Sequence, residues 1–314
     1  MLTDQVGAQS RSRGDGLSCY TANLRAYLAP EWDADTIIAR SVRIALAIDS
    51  NDHLVFSHHE PSLDLLPDRT ALAYVGCDDD TLALQELGAE VAAHGRVLVV
   101  VDHARLPWSV GRGSGSAPHW LLVDGVADRE WHVIDDFTAL LGGGEQRPFA
   151  GWIADDVLCD AMGGSSGWEL THHIRSAMAF GKSVDVPSRH HLLLRRHGGS
   201  RPCAERTGRC FLEGDAVLEY LAERYLEREI EDYVLDDLWA VAGHRRFALR
   251  WWAQQGDPMN RAAVRHALFA WGKLPQALRF AVESAARGKP RRGLVQTALG
   301  DVRTAERQLR LAIS

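Results

Sequence analysis

The sequence predicts an α+β protein whose N-terminal part mixes helices with strands and whose C-terminal part is helical. Three observations carry this reading. A continuous β-branched run and an alternating two-strand pattern lie between residues 97 and 137. Apolar residues at helical spacing fill most of the chain after Glu213. The composition suits a sizeable core: 314 residues, 46 % apolar and 25 % charged, enough for one large domain or two ordinary ones.

The elements follow in order. Residues 1–16 are polar and lack the apolar centre of a signal peptide. Leu17 to Leu28 has helical spacing, and Pro30 ends it. Residues 33–48 predict a second helix, with Ile37, Ile38, Val42, Ile44 and Leu46 apolar. Residues 53–57 predict a short strand, and residues 80–94 a helix stopped by Gly95. Val97–Val101 predicts a buried strand, followed by a break at Pro107 and Trp108 and a mobile loop over Gly111–Ser116. His119–Val126 and Glu130–Phe137 predict two strands joined by a tight turn, hence an antiparallel hairpin. Residues 150–162 predict a helix and His190–Arg196 a further strand. Helices are then expected over 213–231, 233–254, 258–272, 274–287 and 293–312, with breaks at Gly256, Gly288 and Pro290. The expected division is an α+β unit (1–165), a connecting segment containing one strand (166–204) and a helical unit (205–314).

Charge and cysteine usage exclude several classes. The net charge of -7 argues against nucleic acid as a partner, because such proteins carry a basic surplus to neutralise phosphates. Two basic islands stand out: Arg287–Arg310 holds seven Lys/Arg against two Asp/Glu, and Arg189–Arg209 six Arg against one Glu. Either could dock an acidic partner, or form a solvated face. No apolar run reaches the roughly 18 residues of a membrane span, so no membrane association is expected. Five cysteines at irregular spacing, with no CxxC pair, predict neither a disulfide framework nor a zinc site, and point to a reducing cytoplasmic location. The adjacent histidines at 58–59, 172–173 and 190–191 would face opposite ways on strands, so no metal and no cofactor is expected. Trp239, Trp251, Trp252 and Trp271 recur at helical spacing and read as core of the helical unit.

The candidate chemistry starts at Cys19. It opens a helix behind Gly16, and a helix N-terminus favours the thiolate, which is the nucleophilic form. A nucleophile of this kind needs a base in reach and a group that orients the base. His119 heads a strand directly after a Gly/Ser-rich loop. Asp135 ends the next strand, so pairing of the two strands makes His119 and Asp135 cross-strand neighbours. Asp136 points to the opposite face. Tyr20 and Asn23 beside the nucleophile, with Asp102 and Trp108 after the buried strand, are the candidate substrate contacts. For Asp102 the alternative is a simple turn cap.

The ordered set Cys19, then His119-Trp-Leu-Leu-Val-Asp-Gly125, then Trp131-His-Val-Ile-Asp135 resembles the bacterial papain-like cysteine peptidases that process bacteriocins. With Val97-Leu-Val-Val-Val-Asp102 and Leu106-Pro107-Trp108 added, residues 16–160 are similar to the N-terminal domain of the butirosin biosynthesis protein H family. The resemblance implies a papain-like cysteine-peptidase-type domain with a C-terminal helical domain. It also implies amide-forming acyl transfer from an acyl carrier protein or other thioester donor to a small amine acceptor. Cys19 would take the acyl group, His119 would move the proton and Asp135 would fix the imidazole. The same residues with water as acceptor would make a cysteine peptidase or thioesterase, and a non-catalytic binding module is the third reading. Papain-like peptidases have a Gln shortly before the Cys; here the nearest are Gln9 and Gln5, which leaves the oxyanion donor to the Cys19 amide and an unassigned side chain.

Overall fold

The computed structural model describes residues 16–113, 115–141, 143–163, 169–198, 210–226, 228–255 and 261–313. It is a mixed α+β architecture. Helices α1 (Cys19–Leu28) and α2 (Ala34–Ser41) precede strands β1 (Val42–Ile48), β2 (Leu54–His59) and β3 (Thr70–Cys77). Helix α3 (Asp80–His94) leads into β4 (Val97–Asp102), β5 (Pro118–Ala127), β6 (Glu130–Asp135), the short β7 (Ala139–Leu141) and β8 (Gly144–Gln146), and β9 (Phe149–Ala154). Then come α4 (Asp155–Met162), α5 (Glu169–Phe180), β10 (His191–Gly198) and β11 (Cys210–Glu213). The remainder is helical: α6 (Asp215–Arg224), α7 (Asp232–Gln255), α8 (Arg261–Ala286) and α9 (Arg292–Ile313).

The principal sheet has the order β3-β10-β4-β5-β6-β9, with every pair antiparallel. Strand β4 is buried along its whole length and feeds two cores. Leu98 and Val100 pack with Tyr20, Leu24 and Tyr27 of α1 on one face. Val97, Val99 and Val101 pack with Leu87 of α3 and Leu158 of α4 on the other. That two-sided burial is why β4 reads as an unbroken apolar run instead of an alternating one. A third core joins α6 to α9 with Leu46 of β1 and Leu54 and Phe56 of β2. Helix α7 serves two cores: Leu238, Val241 and Leu249 lie in the third, Phe247 and Ala248 in the α1 core.

Several expectations are corrected. The helix expected over 33–48 ends at Ser41, because β1 finds a partner: Ala45, Leu46 and Ile48 pair with Ser57, Phe56 and Leu54. A short apolar run fits either period, and sheet pairing decides it. The helix expected over 150–162 begins as strand β9, paired to β6 with Ile153 opposite Trp131, and turns helical only at Asp155. Strand β3 and helix α5 were not expected. The break expected between 272 and 274 is absent. Helix α8 runs through Pro275 because Val264, Ala267, Ala270, Trp271, Leu274, Leu278 and Ala281 form one buried stripe. That burial outweighs the roughly 3 kcal/mol cost of an interior proline.

Part of each basic island is neutralised inside the fold. Arg303 pairs with Glu219, and Arg307 and Arg310 both reach Asp215. Arg189 pairs with Asp78, Arg195 with Glu86 and Glu90, and Arg196 with Glu31. Arg201, Arg206 and Arg209 of the second island lie outside the described residues. Among the described residues no helix is long and apolar enough to cross a membrane.

Candidate active site

Ser18 caps α1: its hydroxyl accepts from the Thr21 N–H at 3.2 Å. Cys19 is thereby the first helical residue, where the helix dipole is most positive. No acceptor for the Cys19 N–H lies among the described residues, so this amide can donate to an oxyanion. Gln5 and Gln9 lie outside the described residues.

The hairpin of β5 and β6 brings His119 to Asp135. A bulge between Val123 and Gly125 sets the register, and beyond it Leu122 faces Ile134. Carried one pair further, that register puts Asp135 opposite Leu121, so His119 is its diagonal neighbour on the same side. The imidazole spans this diagonal, with His119 Nε2 2.9 Å from Asp135 Oδ1. Asp136 faces away and takes an ion pair from Arg25.

Asp135 is fully buried and surrounded by donors. Its Oδ1 accepts from His119, from Asn23 Nδ2 at 3.2 Å and from the Phe137 N–H at 3.3 Å; Oδ2 accepts from Trp108 Nε1 at 3.0 Å. Burial alone would raise its pKa, but His119 and these donors hold it below the usual value. An ionised carboxylate only accepts, so His119 Nε2 carries a proton and Nδ1 is left to Cys19. Burial disfavours charge on both reacting groups. The charges and hydrogen bond they share outweigh it: the Cys19 thiol is pulled down and the His119 imidazole is pulled up, with Asp135 assisting. Both shifts favour a thiolate beside an imidazolium at this site. Cys19 is 8 % exposed and His119 1 %, so little water reaches it.

The structure reassigns the candidate substrate contacts. Tyr20 has no exposed surface; it stacks on Trp120 at 4.3 Å between centroids and shares a hydrogen bond of 2.5 Å with His172 Nδ1, and so belongs to the core. Asn23 is equally buried and bridges Cys19 O, Trp120 O and Asp135, positioning the carboxylate instead of touching a ligand. Trp108 spends its indole N–H on Asp135 and stacks on Phe149 at 3.9 Å. Asp102 is the turn cap of the alternative reading. It accepts from Ala104 N, Ser116 Oγ and Ala117 N, and so ties both ends of the 103–117 loop.

Three residues near the site had no signal in the sequence. Arg175 on α5 donates to Pro118 O at 2.6 Å, and its charge helps to lower the Cys19 pKa. His103 lies 5.3 Å from His119 between ring centroids. Burial first, then the His119 charge, pushes its pKa down to about 4, so it is neutral near pH 7. His244 on α7 accepts from the Ser18 N–H at 3.3 Å through Nε2, reaching the nucleophile's turn from the far end of the chain. Beside that bond the two backbones nearly touch. A Cβ at Gly243 would sit 1.7 Å from Gly16 O, so only glycine fits there.

His244 begins a chain whose protons can be assigned. An amide only donates, so His244 Nε2 accepts. Burial pushes its pKa down to about 3, so the ring is neutral and its proton sits on Nδ1. Nδ1 lies 3.1 Å from His58 Nδ1, which must accept and carry its own proton on Nε2, 3.9 Å from Asp237 Oδ1. Among the described residues, no cluster of His, Cys, Asp or Glu could hold a metal ion.

Comparison of the sequence with protein-family models finds no match. Comparison with curated proteins likewise finds no matching relative.

Proposed function

We propose that the protein is a cysteine-dependent acyltransferase of natural-product biosynthesis, acting in the cytoplasm and built on a papain-like domain similar to the butirosin biosynthesis protein H family. It would move an acyl group from a carrier-protein or other thioester to a small amine. The observation that carries this reading is Cys19 at a helix start coupled to His119, whose imidazole is held by a buried carboxylate with four donors.

In the first step the Cys19 thiolate adds to the thioester carbonyl, and the oxyanion takes the Cys19 amide. The intermediate collapses, the donor thiolate leaves, and His119 Nδ1 protonates it. In the second step an amine attacks acyl-Cys19, and neutral His119 accepts its proton. Collapse releases the amide and restores the thiolate–imidazolium pair. Asp135 holds the imidazole through both steps and stabilises its charge.

One feature favours transfer over hydrolysis: the site is nearly closed to water. A carrier could dock on the exposed arginines and lysine at the α8–α9 turn: Arg287, Lys289, Arg291 and Arg292.

The test uses a panel of acyl-N-acetylcysteamine thioesters and intact mass spectrometry. One acyl group per chain is expected, absent in Cys19→Ser, with amide produced when amines are added. Free acid as the sole product would establish the hydrolase instead. No adduct from any thioester, together with a Cys19 inert to iodoacetamide, would leave a binding module.

A further inference from the structure

Helix α7 presents Trp239, Ala242, Gly243 and Arg246 at spacings of three, four and seven, which is one face of a helix. This face, Pro275 of α8, the β7–β8 hairpin and Gly16 enclose an open pocket of about 510 Å³. That volume falls in the range of small-molecule sites. Its walls are largely apolar: Ala139, Leu140, Ala242, Pro275 and the face of Trp239. Leu140 and Trp239 keep 83 % and 37 % of their surface exposed, although one is aliphatic and the other aromatic.

One charge in this pocket is unmatched. Arg246 lies against Gly272 of α8, 3.6 Å from where a Cβ there would sit. Its Nε is buried with no hydrogen-bond partner, and no carboxylate among the described residues pairs with it. The neighbouring charges are committed elsewhere: Arg245 clamps Glu306, and Glu145 is held by Arg147. Arg246 is half-buried as a whole, but its Nε–H buried without a partner is costly, and a guanidinium presents a fork that matches a carboxylate.

The pocket's lining comes close to the reacting groups along the chain at two places. Gly16 precedes the Ser18–Cys19 turn, and Thr138 follows Asp135. Gln146 in the pocket wall influences the His103 imidazole, whose ring is next to His119.

We propose that this pocket is a substrate subsite for a carboxylate-bearing amphipathic group, with Arg246 as the anion contact and Trp239 as the apolar wall. Its use in catalysis rests on the acyl-transfer reading; its binding does not. The carboxylate takes the guanidinium fork in a bidentate pair, and the apolar body lies along Trp239 and Leu140, directing the rest of the molecule toward Gly16 and Cys19.

The test separates binding from chemistry. Full-length Cys19→Ser protein is labelled with 5-fluorotryptophan, the Trp239 resonance is assigned with Trp239→Phe, and 3-phenylpropionate, 3-phenylpropionamide and phenyl phosphate are titrated. The acid should shift the Trp239 signal saturably and bind at least tenfold more tightly than the amide. Arg246→Gln should weaken the acid at least tenfold. Equal binding of acid and amide, or undiminished binding by Arg246→Gln, would overturn the proposal. Phenyl phosphate binding tenfold more tightly than the acid would overturn the carboxylate assignment. If Arg246→Gln loses its far-UV circular dichroism, Ala139→Leu on the opposite wall decides: lost binding supports the subsite and unchanged binding refutes it. Acylation of wild-type Cys19 by an acetyl thioester, which has no carboxylate, is read separately. Failure of this and of every other thioester of the panel would sink the acyl-transfer reading and leave the pocket result standing.

Discussion

Replacing Asp135 by Asn keeps the shape of the site and removes its charge. The structure sets the size of the effect. The carboxylate accepts four hydrogen bonds, from His119, Asn23, Phe137 and Trp108. An amide has one acceptor oxygen. If that oxygen stays on His119, the new NH2 faces the Trp108 indole N–H, donor against donor. If the amide flips, His119 loses its acceptor. Losing a charge-assisted bond costs about 1.5–3 kcal/mol, and leaving a buried donor unpaired costs a further ~1–3 kcal/mol. With ~1.4 kcal/mol per factor of ten, the first of these costs, borne in the transition state, should slow acylation of Cys19 by about 10- to 100-fold. The variant should also be less stable to urea by about 1–3 kcal/mol. A sharper readout is the pH dependence of iodoacetamide alkylation. The lowered Cys19 pKa depends on a charged His119, and the raised His119 pKa depends on Asp135. In the wild type, alkylation should therefore persist below the ordinary thiol value of 9.0. In Asp135→Asn the profile should move up toward that value. An unchanged profile in a folded variant would refute the coupling, because Asp135 would then have no electrical connection to Cys19.

Other substitutions probe the remaining parts. His244→Leu leaves the Ser18 N–H without an acceptor and should slow acylation by roughly tenfold, from ~1–2 kcal/mol, while His244→Gln, which keeps an acceptor, should recover most of it; equal rates in the two variants would reject the positioning role. Tyr20→Phe should cost about 1 kcal/mol in chemical denaturation, from the lost bond to His172, with little change in the alkylation profile. Glu306 accepts from both Arg245 and Trp271, and although burial raises its pKa, Arg245 and these donors lower it overall. Its stabilisation is therefore present above the ordinary glutamate value and fades as pH falls through its lowered one. Glu306→Gln should flatten the acid limb of the stability curve, and an unaltered limb would show that other carboxylates govern it.

The parts of the fold legible in the sequence are those with a single period. Helix α3 has its Asp79 cap and Gly95 stop, β4 is a run of valines, and β5 and β6 alternate around a tight turn. What could not be read depends on distant partners. Strand β1 is a strand because Leu54–Ser57 and Phe211–Glu213 flank it. Strand β3 lies beside β10, more than a hundred residues away. Cys19, His119 and Asp135 could be ordered from their elements, since a helix start, a strand head and a strand end each leave a local mark. Arg175, His103 and His244 leave none. Their side chains matter only through a neighbour, and each neighbour is set by tertiary packing. The same limit explains why Asn23 and Tyr20 read as substrate contacts: proximity to Cys19 in sequence does not reveal that both side chains point into the core.

The placement of His244 bears on why a helical region accompanies the site at all. A nucleophile at a helix start needs that turn fixed, because the oxyanion must meet the Cys19 N–H at hydrogen-bond distance. Ser18 supplies the local cap, but a cap alone does not fix the approach of the preceding chain. Here that approach is fixed by α7: the Ser18 amide is taken by His244, and Gly243 lets the Gly16 carbonyl come into backbone contact. Helix α7 is in turn held by α8 and by β1 and β2. Since α7 also lines the Arg246 pocket, one rigid helix carries both the anchor of the nucleophile's turn and the proposed anion contact. Truncating the chain before Asp232 should therefore abolish acylation through loss of geometry even where the Cys19–His119–Asp135 set is intact. A truncated protein that folds and acylates at the full-length rate would contradict this.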